Sequence, residues 1–313
     1  MGKVAFVFSG QGAQKIGMGK ELYENYAVFK KTFSEASNAL GFDISQMIFE
    51  GDEETLMLTE NTQPSVVTMS VGAYRILKDY GIKPDVVAGL SLGEYSAHVA
   101  SGTMEFSDAV RLVKKRGKFM QEEVPVGKGA MAAILGMTSD DVIKCCKEAS
   151  EFGICEPANF NCPGQIVVSG EVLPVEKCCE IAKEMGAKRA MLLPVSAPFH
   201  CSMLLGAGEK LAAELQNISL NQMNIPLITN VTADYVGSQG EVKNLLKRQV
   251  SSSVKWEESV RKMIEDGVDT FVEIGPGKTL SGFIKKIDKE ISVYNVEDMA
   301  SLEKTLEAFS VNF

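Results

Sequence analysis

Short apolar runs alternate with longer segments of helical period along the first 125 residues of the chain. The runs at residues 4–8 and 86–88 are almost wholly apolar and end in glycine-containing turns, so they predict buried strands. Other segments repeat apolar residues every three to four positions and predict helices at residues 22–40, 61–80, 94–100 and 107–123. Strand and helix in alternation predict a three-layer α/β core with a parallel sheet.

The pattern changes at residues 126–129. Strands are predicted at residues 131–135, 154–159, 165–169 and 189–195, with helices at 139–152 and 174–185. This β-α-β-β-α-β order is that of a ferredoxin-like α+β unit. We therefore predict a small domain, residues 127–195, inserted into a large α/β domain formed by residues 1–126 and 196–313. In the second part of the large domain we predict helices at 204–216, 243–250 and 254–266 and strands at 226–229 and 270–274.

Composition and charge limit the classes of protein to which the chain can belong. The chain has 313 residues, 45% hydrophobic and 23% charged, which is typical of a soluble globular protein. A net charge of −9 argues against nucleic-acid binding. No apolar stretch is long enough to span a membrane, and the first residues lack the features of a signal peptide. We expect a cytoplasmic protein in which the seven cysteines serve as small apolar core residues.

The pentapeptide Gly89-Leu90-Ser91-Leu92-Gly93 is the motif with the clearest chemistry. A G-x-S-x-G sequence between a strand and a helix forms a nucleophile elbow, a tight turn that exposes the serine hydroxyl. The turn also leaves the N–H of the following residue, Leu92, free to bind an oxyanion. The elbow makes the large domain hydrolase-like and predicts a nucleophilic Ser91.

A serine nucleophile needs a base, and the chain has only two histidines. His98 lies seven residues after Ser91 on the same predicted helix, at i, i+4 spacing from Glu94, which favours a surface pair. His200 lies in a loop where the chain returns to the large domain, a place that favours a position in a cleft. We therefore predict His200 as the base.

Arg116 indicates the kind of substrate. On its predicted helix it lies in the apolar stripe of Ala109, Val113 and Met120 and must face inward. A buried arginine needs a partner, because an unpaired buried charge is very costly. Two partners are open at this point: a buried carboxylate of the protein, or the carboxylate of a substrate held by two parallel hydrogen bonds.

Two glycine-containing segments resemble nucleotide-binding motifs and are rejected. Gly277-Lys278-Thr279 follows a strand, but Val272 stands where a P-loop has its first glycine. Gly10-Gln11-Gly12 lacks the third glycine of a dinucleotide fingerprint. We expect neither a cofactor nor a metal ion.

Several motifs together resemble those of the malonyl-CoA:acyl carrier protein transacylase family over essentially the whole chain. In family order they are Phe8 to Gln14, the elbow, Arg116-Gly117, Asn159 to Gly170, Phe199-His200 and Glu273 to Gly277. The resemblance implies transfer of a malonyl group from malonyl-CoA to the phosphopantetheine thiol of acyl carrier protein in fatty acid biosynthesis. Malonyl-CoA is then a substrate, and the phosphopantetheine belongs to the partner protein.

The resemblance also implies a role for each site residue. Ser91 forms a malonyl ester in a ping-pong reaction with His200 as the base, and Gln11 and Leu92 supply the oxyanion N–H groups. Arg116 binds the free malonyl carboxylate. The backbone carbonyl of Gln249 orients the histidine, and Gln63 lines the site.

Two positions bear on how closely the chain follows the family pattern, and three alternative functions stay open. Leu90 stands where many members have histidine, and Phe199 resembles members that prefer malonyl over methylmalonyl. The rivals are a free-standing acyltransferase of a polyketide synthase, a serine hydrolase and a non-catalytic carrier-binding module. Lys188-Arg189 and Lys285-Lys286 are candidates for a basic docking patch. We expect a monomer.

Overall fold

Two four-stranded sheets organise the structure, a computed structural model that describes residues 2–195 and 197–311. The strands are β1 Lys3–Phe8, β2 Val86–Gly89, β3 Gly129–Leu135, β4 Cys155–Cys162, β5 Gln165–Glu171, β6 Arg189–Leu192, β7 Val268–Ile274 and β8 Ser292–Val296. The first helices are α1 Lys20–Asn25, α2 Ala27–Leu40, α3 Ile44–Glu50, α4 Glu53–Met57, α5 Thr59–Asp79, α6 Gly93–Ala100 and α7 Phe106–Glu123. The others are α8 Ser139–Ala149, α9 Val172–Glu184, α10 Leu205–Gln216, α11 Gln239–Gln249, α12 Trp256–Glu265, α13 Thr279–Ile287 and α14 Met299–Ala308.

The first sheet is parallel and has the strand order β2-β1-β7-β8. Alternate residues of β1 face opposite layers: Phe6 and Phe8 pack into one core, and Ala5 and Val7 into another that contains Trp256. Both faces are therefore covered, which explains why β1 reads as a continuous apolar run. The predicted α/β core with a parallel sheet is confirmed.

The second sheet is antiparallel and has the order β4-β5-β3-β6. Helices α8 and α9 pack against each other and against its strands. The residues buried between this sheet and α8 and α9 form an apolar cluster separate from the two cores of the first sheet, whereas Cys162 at the end of β4 belongs to the core that contains Trp256. The chain order through this unit is β-α-β-β-α-β.

Several boundaries differ from the sequence prediction. The helix predicted at 22–40 is two helices, because Tyr26 is extended at φ −121° and ψ 115° between α1 and α2. The acidic stretch before α5 contains α3 and α4, which begin where Asp43 and Asp52 accept hydrogen bonds from backbone N–H groups. The strand predicted at 226–229 is reduced to isolated bridges at Leu227 and Ile228.

The end of the chain contributes β8 and α14, which the sequence patterns did not predict. Strand β8 pairs with β7 and completes the parallel sheet. Among the described residues, no helix is both long and apolar enough to cross a bilayer.

Candidate active site

The elbow between β2 and α6 places Ser91 in a strained conformation. Its φ is +51°, in the left-handed region that a serine seldom adopts. A Cβ at Gly89 would lie 2.0 Å from the carbonyl carbon of Gly93, and one at Gly93 would lie 2.1 Å from the oxygen of Phe8. Both positions therefore exclude any side chain, as the motif requires.

His200 is hydrogen-bonded to Ser91 and to the backbone. The distance from Ser91 Oγ to His200 Nε2 is 2.7 Å, and that from His200 Nδ1 to the carbonyl oxygen of Gln249 is 2.9 Å. A carbonyl can only accept, so Nδ1 carries the hydrogen and Nε2 is free to accept the serine proton. Burial, together with the nearby charge of Arg116, lowers the pKa of His200 to about 4. The imidazole is therefore neutral at pH 7 and able to act as a base.

Arg116 lies on α7 with 1% of its surface exposed. Nη1 donates to Gln63 Oε1 at 3.0 Å, and Nη2 donates to Gln249 Oε1 at 3.1 Å and to Ser91 Oγ at 3.2 Å. Among the described residues, no carboxylate lies within 4.0 Å of the guanidinium. Of the two partners left open by the sequence, the protein carboxylate is thus not found, and the cation is held beside the nucleophile by neutral groups.

Glu94 is connected to Arg116 through one intervening amide, that of Gln249. Gln249 accepts from Arg116 with its side-chain oxygen and donates from Nε2 to Glu94 Oε2 at 2.9 Å. The fully buried carboxylate also accepts from Thr229 Oγ1 and from the N–H of Asn230, each at 2.9 Å. Burial raises the pKa of Glu94, and these hydrogen bonds oppose that shift. Glu94 is thus connected to the arginine through Gln249 and does not itself accept a hydrogen bond from the guanidinium.

Asn230, which the sequence patterns do not predict as a site residue, holds the elbow in place. Its Oδ1 accepts the N–H of Ser91 at 2.6 Å, and its Nδ2 donates to the carbonyl of Gly89 at 2.7 Å. The residue lies in a short polar loop with no recognisable motif, so spacing gave no signal. Glu94 was also missed as part of the site, although it comes directly after the elbow.

The predicted surface pair of His98 and Glu94 is wrong. His98 is 1% exposed, Glu94 is fully buried, and His98 Nε2 lies 4.0 Å from Glu94 Oε1. Neither ring nitrogen of His98 has a hydrogen-bond partner among the described residues, and burial lowers the pKa of this histidine to about 3. Spacing shows which residues share a helix face, but α6 is covered by α5, α7, β1 and β2. His98 is thus a neutral core residue.

A cavity of 570 Å³ opens above Ser91 between elements of the two sheets. From the first-sheet side it is lined by the loop that contains Gln11 and by the elbow, and from the second by Met131, Asn159 and Asn161. Within the described part of the chain, the N–H groups of Gln11 and Leu92 make no hydrogen bond. Both are therefore available to an oxyanion in this cavity. Asn159 and Asn161 lie on the opposite wall.

Gln63, Gln249, Phe199 and Leu90 lie in or next to the cavity. Gln63 and Gln249 are buried partners of Arg116, and Phe199 lines the cavity. The side chain of Leu90 approaches Gly10, since a Cβ there would lie 3.0 Å from Leu90 Cδ2. The basic residues Lys188, Arg189, Lys285 and Lys286 are all exposed.

Comparison with known proteins supports the resemblance found in the motifs. The model of the acyl transferase domain family matches residues 5–312. The malonyl CoA-acyl carrier protein transacylase of Bacillus subtilis is 48% identical over 98% of this chain and 97% of that protein. The crystal structure of the enzyme of that name from Clostridium perfringens is 50% identical, with a TM-score of 0.96 over 98% of this chain and 97% of that one.

A third relative was solved with its partner. It is a malonyl-transacylase in complex with a type II PKS acyl-carrier protein, 41% identical, with a TM-score of 0.95 over 98% of this chain and 99% of that one. These matches cover 97–99% of each chain, and all three are named as malonyl transacylases. The chain belongs to the acyl transferase domain family and, within it, to the malonyl CoA-acyl carrier protein transacylases.

Proposed function

We propose that the chain transfers the malonyl group of malonyl-CoA to the phosphopantetheine thiol of acyl carrier protein, in fatty acid biosynthesis. The observation that carries this proposal is the buried Arg116, held by Gln63 and Gln249 with Nη2 3.2 Å from the Ser91 hydroxyl. A hydrolase acting on neutral esters has no use for a cation at this place. An acyl group that ends in a carboxylate does.

In the first half of the reaction Ser91 Oγ attacks the thioester carbonyl of malonyl-CoA. Its proton passes to Nε2 of His200, 2.7 Å away, while the carbonyl of Gln249 keeps the ring oriented through Nδ1. The electron pair moves to the carbonyl oxygen, which accepts hydrogen bonds from the N–H groups of Gln11 and Leu92. The carbon–sulfur bond then breaks, His200 returns the proton to the sulfur, and a malonyl-serine ester and free CoA result.

The second half repeats these steps with the carrier protein. His200 takes the proton of the phosphopantetheine thiol, the sulfur attacks the ester, and Ser91 leaves with the proton from the imidazolium. Throughout, Arg116 holds the free carboxylate of the malonyl group, which keeps the ester in one orientation. The enzyme itself needs no cofactor or metal ion for these steps.

One observation favours a second candidate function, which differs from the first only in the carrier protein that receives the malonyl group. A relative with the same fold is a malonyl-transacylase that was solved with a type II PKS acyl-carrier protein. The same chemistry would then serve polyketide synthesis as a free-standing acyltransferase. The residues proposed to bind the malonyl group have the same task in both reactions, so the site does not distinguish the two.

The proposal also includes the division into domains, the cellular location and the oligomeric state. We infer a hydrolase-like large domain of residues 1–126 and 196–313 with a ferredoxin-like domain of residues 127–195 inserted in it. The separate antiparallel sheet and its own apolar cluster support the inserted unit. A cytoplasmic monomer is expected.

Covalent labelling tests the mechanism. Radiolabelled malonyl-CoA, without carrier protein, should label the wild-type protein and leave Ser91→Ala unlabelled. Ser96→Ala is a matched control, because Ser96 is a buried serine of α6 with no hydrogen-bond partner among the described residues. Label on Ser91→Ala would refute the nucleophile.

Transfer assays then separate the two carriers. The labelled enzyme is offered a fatty-acid carrier protein or a polyketide carrier protein, each bearing phosphopantetheine. Faster loss of label to the fatty-acid carrier supports the function proposed here, and the reverse supports the alternative. Loss to water alone would make the protein a hydrolase.

A further inference from the structure

Five of the seven cysteines lie in the apolar cluster of the second sheet, away from the active-site cavity. They come from two adjacent pairs, Cys145-Cys146 on α8 and Cys178-Cys179 on α9, and from Cys155 on β4. All are buried, and all are free thiols. The proposed transfer reaction uses none of them.

One member of each helical pair meets the cysteine of the strand. The sulfur atoms of Cys146, Cys155 and Cys178 all lie within 4.8 Å of one another, and those of Cys146 and Cys178 are 3.9 Å apart. We call these three residues the thiol triad. The other two cysteines lie outside it, and Cys145 contacts the sulfur of Met185 at 3.5 Å instead.

The spacing of the triad matches that of thiolates around a metal ion. With metal–sulfur bonds of about 2.3 Å, three sulfur atoms around one ion are about 4 Å apart. The observed 3.9 Å meets this distance, and the 4.8 Å limit requires only a small inward shift. Filling an apolar core does not require sulfur atoms from three separate elements to converge, as Cys145 and Cys179 illustrate.

We propose that the thiol triad binds one thiophilic metal ion with a filled d shell, Cu⁺ or Zn²⁺. Three thiols release their protons to solvent, three metal–sulfur bonds form, and nothing is oxidised or reduced. Soft thiolate ligands select these ions. The described histidine, cysteine and carboxylate side chains supply only three donors to the group, so three-coordinate Cu⁺ is the better match. The triad is then a binding site in addition to a part of the core.

The two adjacent pairs provide matched controls for a binding experiment. Full-length, chemically reduced protein is titrated with Cu⁺ or Zn²⁺ alone against a competing chelator. Each ion is added to the folded protein and also during refolding, because all three thiols are buried and binding couples to folding. Wild type should bind one ion per chain, more tightly for Cu⁺, with release of three protons. Cys146→Ala and Cys178→Ala should weaken binding at least about 100-fold, whereas Cys145→Ala and Cys179→Ala should change it less than about threefold.

Unfolding measurements guard against a loss of binding that reflects a loss of folding. The ion should raise the unfolding temperature of wild type, Cys145→Ala and Cys179→Ala, and leave that of the two triad variants unchanged. Equal weakening in both members of a pair would overturn the proposal. So would release of fewer than two protons per ion, or the absence of tight binding to wild type by either route of addition. Tighter binding of Zn²⁺ would keep the site and replace Cu⁺ as its ion.

Discussion

The two histidines are buried to a similar extent, but only one of them has a role in the proposed reaction. His98, on α6, is 1% exposed, and His200, in the loop before α10, is 4% exposed. Burial lowers the pKa of both, to about 3 and about 4. Yet His200 joins Ser91 to the carbonyl of Gln249, whereas His98 has no hydrogen-bond partner among the described residues. A strongly shifted pKa therefore does not identify a base here, and the partners of the ring do.

The strongest test of this contrast is removal of each ring. His200→Ala should reduce acylation by malonyl-CoA about 10³-fold or more, because the serine loses its proton acceptor. His98→Leu should retain acylation within about threefold, since the ring contacts no reacting group. Rapid-quench measurement of the acyl-enzyme gives both rates. A large loss in His98→Leu with an unchanged unfolding temperature would remove the distinction.

Arg116→Ala should have the next largest effect. Loss of the buried cation should cost about 2–5 kcal/mol in transfer of malonyl groups and much less in transfer of acetyl groups, which carry no carboxylate. Arg116→Lys should be intermediate, because it keeps the charge and loses the paired donors. The exposed Lys118 on the same helix provides the control Lys118→Ala. An equal loss for malonyl and acetyl would contradict the carboxylate-binding role.

The pH dependence of stability should involve both histidines, and that of acylation only one. For each, the folded pKa lies below the unfolded value of about 6.5, so the unfolded state takes up protons first as pH falls. The stability that each contributes is complete above pH 6.5 and is lost toward its folded pKa, which amounts to about 2 kcal/mol per histidine at pH 5. Denaturant unfolding from pH 7 to pH 5 should show this loss.

His98→Leu should remove about half of that loss and leave the pH profile of acylation unchanged. Acylation needs the neutral form of His200, so its rate should fall only near pH 4. An acidic limb near pH 6.5 would show that burial does not shift His200 in solution.

The smallest effect is expected from a third histidine placed beside the nucleophile. Leu90 lies next to Ser91, and its backbone bonds to Phe8 and Gly93 do not depend on its side chain. Leu90→His should change acylation less than about threefold and should not rescue His200→Ala, because the carbonyl of Gln249 orients a ring at position 200 and not one at position 90. A rescue of tenfold or more would mean that position near the serine is sufficient.

The sequence predicted those site residues that a short motif or a helical period identifies. The elbow needs only its glycines and the strand before it, and Arg116 was predicted because a helical period shows an inward charge. The sequence could not predict Asn230 or the depth of His98, since both depend on which elements cover α6. Likewise, β8 and α14 lack a distinctive motif, and they are placed by pairing with β7. The sequence also could not decide whether a protein carboxylate pairs with Arg116. The structure shows that Glu94 is connected to Arg116 only through Gln249.

The carbonyl of Gln249 that holds His200 has a chemical consequence for the fate of the acyl-enzyme. A neutral partner does not stabilise the imidazolium as a carboxylate would, so the base stays weak. A weak base can take a proton from a thiol with a pKa of about 8.5 far more easily than from water with a pKa of about 15.7. The ester on Ser91 should therefore resist hydrolysis while it waits for the carrier thiol. A neutral carbonyl in the place of a charged third residue thus favours transfer of the malonyl group to a thiol over its hydrolysis.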